Sequence, residues 1–175
     1  VEIAQQLDKI HKKGVYLVKM DGKTQNAVCP AIVRHLNQKT GAGVYVIVNG
    51  KADDIRNGLK KQGVDHSKIL FIQCGKNDEW RGGDEGGTRH AYTPTEISLT
   101  AADEIASGKY DYLFFNSATM FLVCHDVETT ERFMQYLLSK VKLFGLTGVV
   151  IALNDEHSKA IVPMLSGLCD EVIEL

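Results

Sequence analysis

Short runs of β-forming apolar residues alternate along this chain with longer stretches of helical periodicity, and that alternation leaves few folds open. The runs are Val15–Lys19, Val44–Val48, Ile69–Gln73, Tyr110–Phe115, Gly148–Leu153 and Glu171–Leu175. The first is short and largely apolar, as expected of a strand covered on both faces. Between the runs lie stripes at helical spacing: Val28, Ile32 and Leu36; Ile55 and Leu59; Ile97, Ala101 and Ile105. Ile3, Leu7 and Ile10 precede the first run, and Phe133, Met134, Leu137, Val141 and Phe144 form the longest stripe. The crossovers are too long for hairpins. The chain is therefore expected to be α/β, a three-layer α/β/α sandwich around a mainly parallel sheet of about six strands.

Punctuation supports the same reading. Gly14, Gly41-Ala-Gly43, Gly63, Gly108 and Gly145 stand where helices should end. Thr93-Pro-Thr-Glu96 reads as a helix start, with Thr93 as N-cap, Pro94 in the first helical position and Glu96 as the capping-box acid. Asp126 should cap the helix that follows it, and Pro163 should kink or shorten a final helix over Glu156–Gly167. From Cys74 to Tyr92 the periodicity dissolves into Gly, charged residues and Trp80, which predicts a flexible loop over about 74–92.

At 175 residues the chain is expected to form a single domain, 1–175. A net charge of −2 gives no general attraction to nucleic acid or anionic membrane. No apolar run approaches the ~18 residues of a membrane span. Cys29, Cys74, Cys124 and Cys169 form no CxxC pair and read as small hydrophobes of a reducing compartment, so the expected location is cytoplasmic. Arg81-Gly-Gly occurs once, flanked by acids, too little for RNA binding. Cys124-His125 has no partner at metal-ligand spacing, and no metal is expected.

In a parallel sheet ligands bind at the carboxyl ends of the strands. That directs attention to Met20–Asn26, Asn49–Asp54, Cys74 onward, Asn116–Thr119 and Asn154–His157. Gly22-Lys23-Thr24 has the ending of a phosphate-binding loop, but the first glycine of such a loop falls on Leu17, inside the strand. Asp21 adds negative charge where phosphate should be welcomed. Pro30 argues that the next helix starts near Asn26, with the proline in or near its first turn, leaving Gly22–Gln25 as a connecting turn. Hydrolysis would also need a carboxylate for Mg²⁺ at the end of a buried strand, and Tyr110-Asp-Tyr-Leu-Phe-Phe-Asn-Ser117 ends on Asn116. No Gly-x-Ser-x-Gly elbow is present, so Ser117 reads as a turn residue and no catalytic residue is assigned.

These strands, the degenerate loop, Gly-Leu-Thr-Gly-Val-Val-Ile151 and the closing Cys-Asp-Glu-Val-Ile-Glu-Leu175 resemble the RecA-superfamily domain of KaiC-like proteins. The resemblance runs from about Gly14 to Leu175 and is strongest to small archaeal proteins carrying this domain with an eroded nucleotide site. It implies a RecA-like P-loop NTPase core with one strand inserted between the first and fourth. It also implies that Gly22, Lys23 and Thr24 correspond to the Walker A loop and Asn116 to the Walker B acid. The paired catalytic glutamates of the family correspond to Asn49 and Gly50. With all three parts altered, the expectation is a pseudo-ATPase: a non-catalytic domain acting as a regulatory or scaffolding protein through protein partners or self-association, with no cofactor. The alternative is an ATP-binding protein with slow or no hydrolysis. It would take ATP and Mg²⁺ at Gly22, Lys23, Thr24, Asn116 and Ser117, with the 74–92 loop as a lid.

Overall fold

The computed structural model describes residues 2–11, 13–75 and 87–175. Its elements are α1 (Glu2–Leu7), β1 (Val15–Met20), α2 (Gln25–Lys39), β2 (Gly43–Ile47), α3 (Ala52–Lys61), β3 (Ile69–Cys74), β4 (Thr88–Ala91) and α4 (Pro94–Ala106). They continue with β5 (Tyr112–Asn116), α5 (Ala118–Cys124), α6 (Val127–Leu143), β6 (Thr147–Leu153), a 3-10 turn (His157–Ala160), α7 (Val162–Leu168) and β7 (Glu171–Glu174). The strands form one sheet in the order β4-β3-β2-β5-β6-β1-β7, with every neighbouring pair parallel. β6 thus lies between β1 and β5, the insertion that the resemblance implied.

Strand alternation builds two cores. Val15 and Leu17 of β1 face the layer of α4, α5, α6 and α7, together with Val44, Val46, Leu113 and Phe115. Tyr16, Val18 and Met20 face the opposite layer of α1, α2 and α3, together with Tyr45, Ile47, Tyr112 and Phe114. Because helices cover both sides, adjacent residues of one strand are both buried, which is why the strands read as continuous apolar runs.

The helix ends follow their sequence signals. Gly63, Gly108 and Gly145 take left-handed φ values of 68°, 76° and 70° just beyond α3, α4 and α6. At two of these ends a six-residue backbone bond closes the turn: Val64 N–H to Leu59 O at 2.9 Å and Leu146 N–H to Val141 O at 3.0 Å. The Thr93 hydroxyl accepts the Glu96 N–H at 3.1 Å. The Glu96 carboxylate reaches back one residue further than a standard capping box, to the Tyr92 N–H at 2.8 Å.

Several expectations are corrected. The sheet has a seventh strand, β4, inside the stretch read as a loop; Arg89 of this strand pairs with Glu104 of α4 at 2.7 Å. Its four residues, Thr-Arg-His-Ala, carry a single apolar side chain, Ala91, too little for a sequence signal. Residues 76–86 of that predicted loop, Trp80 among them, lie outside the described residues. Gly43 does not close a helix but opens β2. Phe144 and Ile3, placed on helical stripes, are 47% and 41% exposed; Phe144 is the residue that caps the end of α6 and Ile3 lies in the first turn of α1. The connection after Asn116 contains a helix, α5, and the final helix is split at Ile161 into the 3-10 turn and α7, with Pro163 in the first turn of α7.

Helix α2 starts at Gln25, with Pro30 beyond its first turn. A proline there cannot donate to the carbonyl four residues earlier, that of Asn26. The Gln62 side-chain amide donates to that carbonyl at 3.2 Å, so α3's end supplies the bond that the proline withholds.

Candidate functional site

At the carboxyl end of β1 the backbone turns through Asp21–Thr24 under the control of Asp21. Its carboxylate accepts the Lys23 N–H at 2.8 Å. Its carbonyl accepts the Thr24 N–H at 3.1 Å and the Thr24 hydroxyl at 3.0 Å. The Thr24 carbonyl then accepts the Ala27 and Val28 N–H groups, both at 3.0 Å, and α2 begins. Gly22 is not among the glycines with positive φ, and a Cβ there would meet nothing within 4 Å, so the turn does not require a glycine at that position. The Lys23 side chain is exposed. A phosphate loop works by presenting a run of free N–H groups to the anion; here an aspartate already occupies the one at Lys23.

Asn116, the last residue of β5, stands two strands away. Its Oδ1 accepts from Gln25 Nε2 at 2.6 Å, and its Nδ2 donates to the Tyr45 hydroxyl at 3.0 Å. The side chain is thereby bonded at both ends, and it ties the first turn of α2 to β5 and β2. Tyr45 is 2% exposed, with its ring 4.7 Å from that of Phe114 and 5.6 Å from that of Phe71. Burial, reinforced by the neighbouring Cys29, drives its pKa far above the ordinary phenol range against the opposing pull of the Asn116 bond. The hydroxyl is therefore a neutral hydrogen-bonding group.

Ser117 is fully buried, and its hydroxyl accepts the Met120 N–H at 3.2 Å as the N-cap of α5. It does not line the cleft described next. Of the five residues predicted for a nucleotide site, Gly22, Lys23 and Thr24 share the β1 turn, and Asn116 meets α2 through Gln25. Ser117 is drawn into a cap on the other side of β5. A separate buried knot holds the end of β6: Thr119 Oγ1 accepts the Leu153 N–H at 2.8 Å and meets Ser158 Oγ at 2.7 Å, and Ser158 Oγ donates to the Leu153 carbonyl. Among the described residues no cluster of three or more His, Cys, Asp or Glu could hold a metal ion.

A cleft of about 430 Å³ opens beside this amide chain, at the carboxyl ends of β2 and β5 and between α2 and α3. Gln25, Asn26, Asn49, Gln62 and Asn116 supply five primary amides to its wall, and Tyr45 supplies a phenol. Pro30, Ile55 and Leu59 give it an apolar side. Sequence reasoning marked Met20–Asn26 and Asn49–Asp54 but missed Tyr45, Gln62 and Cys29 as part of one site. Tyr45 is read as a core residue by its strand position, and only the sheet order β2-β5 brings it to Asn116. A larger hollow of about 500 Å³ lies at the opposite, amino end of the sheet, near Lys13, Lys39 and Asp111. There the Asp111 carboxylate accepts the Ala42 N–H at 3.1 Å, a structural clasp at the start of β2.

The strands build one all-parallel sheet between two helical layers, with the amide-lined cleft at their carboxyl ends. No protein-family model matches the sequence, and no curated protein matches it. Among solved structures, a KaiC-like protein from the hyperthermophilic archaeon Pyrococcus horikoshii OT3 superposes with a TM-score of 0.68 at 12% identity, covering 94% of this chain and 71% of that one. The chain thus has the fold of a KaiC-like RecA-superfamily domain. Among the described residues no helix is long and apolar enough to cross a membrane.

Proposed function

We propose that this chain is a non-catalytic RecA/KaiC-like domain that works as a regulatory or scaffolding protein. The observation that carries the reading is the bonding of Asn116. At the position that the resemblance equates with the Mg²⁺-holding acid, a neutral amide is engaged by Gln25 on one side and Tyr45 on the other. Hard cations such as Mg²⁺ are held by carboxylates and phosphates, and an amide already used twice is a poor substitute. Asp21, bonded to the Lys23 N–H, adds a second departure by placing a carboxylate where a phosphate would approach. With hydrolysis excluded on this reading, the proposed action is through a protein partner or self-association.

The test is a titration of Mg-ATP and Mg-ADP into the pure protein, following the thermal midpoint and phosphate release together. Neither signal is expected to change. Binding to the folded state alone would add about 2.7 kcal/mol at a hundredfold excess over the Kd, an unmistakable shift. A shift that Lys23→Ala abolishes would replace this reading with the alternative, an ATP-binding protein using Gly22, Lys23 and Thr24. Turnover that Lys23→Ala abolishes would refute it outright.

A further inference from the structure

The amide chain in the cleft wall is incomplete at one end. Hydrogen bonds run from Gln25 to Asn116 to the Tyr45 oxygen, and the Tyr45 hydroxyl hydrogen then has no acceptor among the described residues. Turning both amides over reverses the direction and moves the unmatched donors to Gln25, at the other end of the same wall. Either way, an unmatched donor, on the buried Tyr45 or the half-buried Gln25, faces a cleft of about 430 Å³, within the size range of small-molecule sites. Burial makes such a donor costly to leave without a partner.

The rest of the lining defines what would fit. The Asn26 and Asn49 side chains at the mouth have no hydrogen bond to any described residue, so both amides are available to a ligand. Among the described residues of the wall the charged ones are Asp54 and Lys61, one of each sign and both exposed. A site without net charge offers an anion no compensation for its lost hydration. Primary amides instead match a planar edge that carries a donor beside an acceptor, because each presents the same pair in one plane. Pro30, Ile55 and Leu59 supply the apolar surface on which a flat ring would lie.

We propose that the cleft between α2 and α3 binds a small uncharged ring compound with an amide-like edge, a lactam or a carboxamide. The ligand's carbonyl takes the hydrogen that the Gln25–Asn116–Tyr45 chain leaves over, and the amides at the mouth meet the remainder of its edge. This site is distinct from the β1 turn and does not use Lys23.

The test compares nicotinamide and uracil with their carboxylated counterparts nicotinate and orotate, by saturation-transfer NMR and by thermal midpoint at millimolar ligand. The neutral pair is expected to bind and the acids to be excluded. Tyr45→Phe keeps the buried ring and removes only the hydroxyl, and should weaken binding about tenfold, the worth of one matched hydrogen bond. Gly58→Leu places a side chain in the cleft from a helical position where an added Cβ meets nothing within 4 Å, so it should fold normally and abolish binding. Lys23→Ala should bind as the wild type does, which separates this result from the nucleotide test. Failure of both neutral rings to bind, equal binding of the acids, or unchanged binding in folded Tyr45→Phe and Gly58→Leu proteins would each overturn the proposal.

Discussion

Two glycines show how far the consequence of a single methyl group depends on its surroundings. A Cβ at Gly43 would stand 2.0 Å from Cζ of Tyr112, a fully buried ring whose hydroxyl donates to Asn37 Oδ1 at 2.7 Å. The ring cannot withdraw without breaking that bond, so Gly43→Ala should cost about 3 kcal/mol or more, read as a fall in the denaturant midpoint. Gly58, inside α3, has open space around it and an ordinary helical backbone. Gly58→Ala should therefore stabilise by about 0.5–1 kcal/mol, since alanine loses less backbone entropy in a helix. Asn116→Leu removes both amide bonds and strands Gln25 and Tyr45, for a cost of about 1–3 kcal/mol in the same measurement.

Elements in this fold are fastened at their ends by neighbours as well as by their own residues. The freed carbonyl of α2 is satisfied from the end of α3, and Asp170 clasps β7 to β1 by accepting the Val15 N–H at 2.7 Å while its own N–H donates to the Val15 carbonyl at 2.7 Å. Helix α6 is fastened by its own cap, Asp126, whose carboxylate accepts the Thr129 N–H at 2.6 Å. That backbone bond is the main reason its pKa lies below the ordinary carboxylate value. A depressed pKa means that the folded state favours the ionised form. The contribution is complete above the ordinary carboxylate pKa and is lost as pH falls through the lowered one. The difference in thermal midpoint between the wild type and Asp126→Ala should accordingly shrink as pH is lowered through the carboxylate range.

At the scale of the whole molecule, the thiols report on how the two cores are sealed. Burial pushes Cys29, Cys74 and Cys169 up to about 12, whereas Cys124 is exposed at the end of α5. A thiol-specific alkylating reagent at neutral pH should label the native protein at Cys124 first, because only the thiolate attacks. The sign of the alkaline effect follows from the same shifts. Above the ordinary thiol value of 9.0 the unfolded chain loses protons that the folded chain retains. The unfolded state then binds fewer protons, so stability should fall as pH rises beyond that point, and a midpoint that rises there would contradict the burial of these residues.

Local signals carried much of the architecture. Apolar runs covered on both faces, helical stripes and left-handed glycines at helix ends are properties of residues close together in the chain, and they sufficed for a parallel α/β/α sandwich. β4 and α5 escaped because each is short, and β4 is held in part by long-range partners, its pairing with β3 and the Arg89–Glu104 bridge. The residues of the β1 turn and Asn116 at the end of β5 were also legible, since the identity of a residue can be read at one position. The cleft was not. It exists because β2 and β5 are neighbours, which brings Tyr45 to Asn116 across 71 residues of sequence and Gln25 to Asn116 across 91. The sequence by itself determined which elements form and which side chains stand at their ends. Strand order alone decided which polar groups meet, because hydrogen bonds between distant segments depend on how the sheet is assembled and leave no periodic trace in the chain.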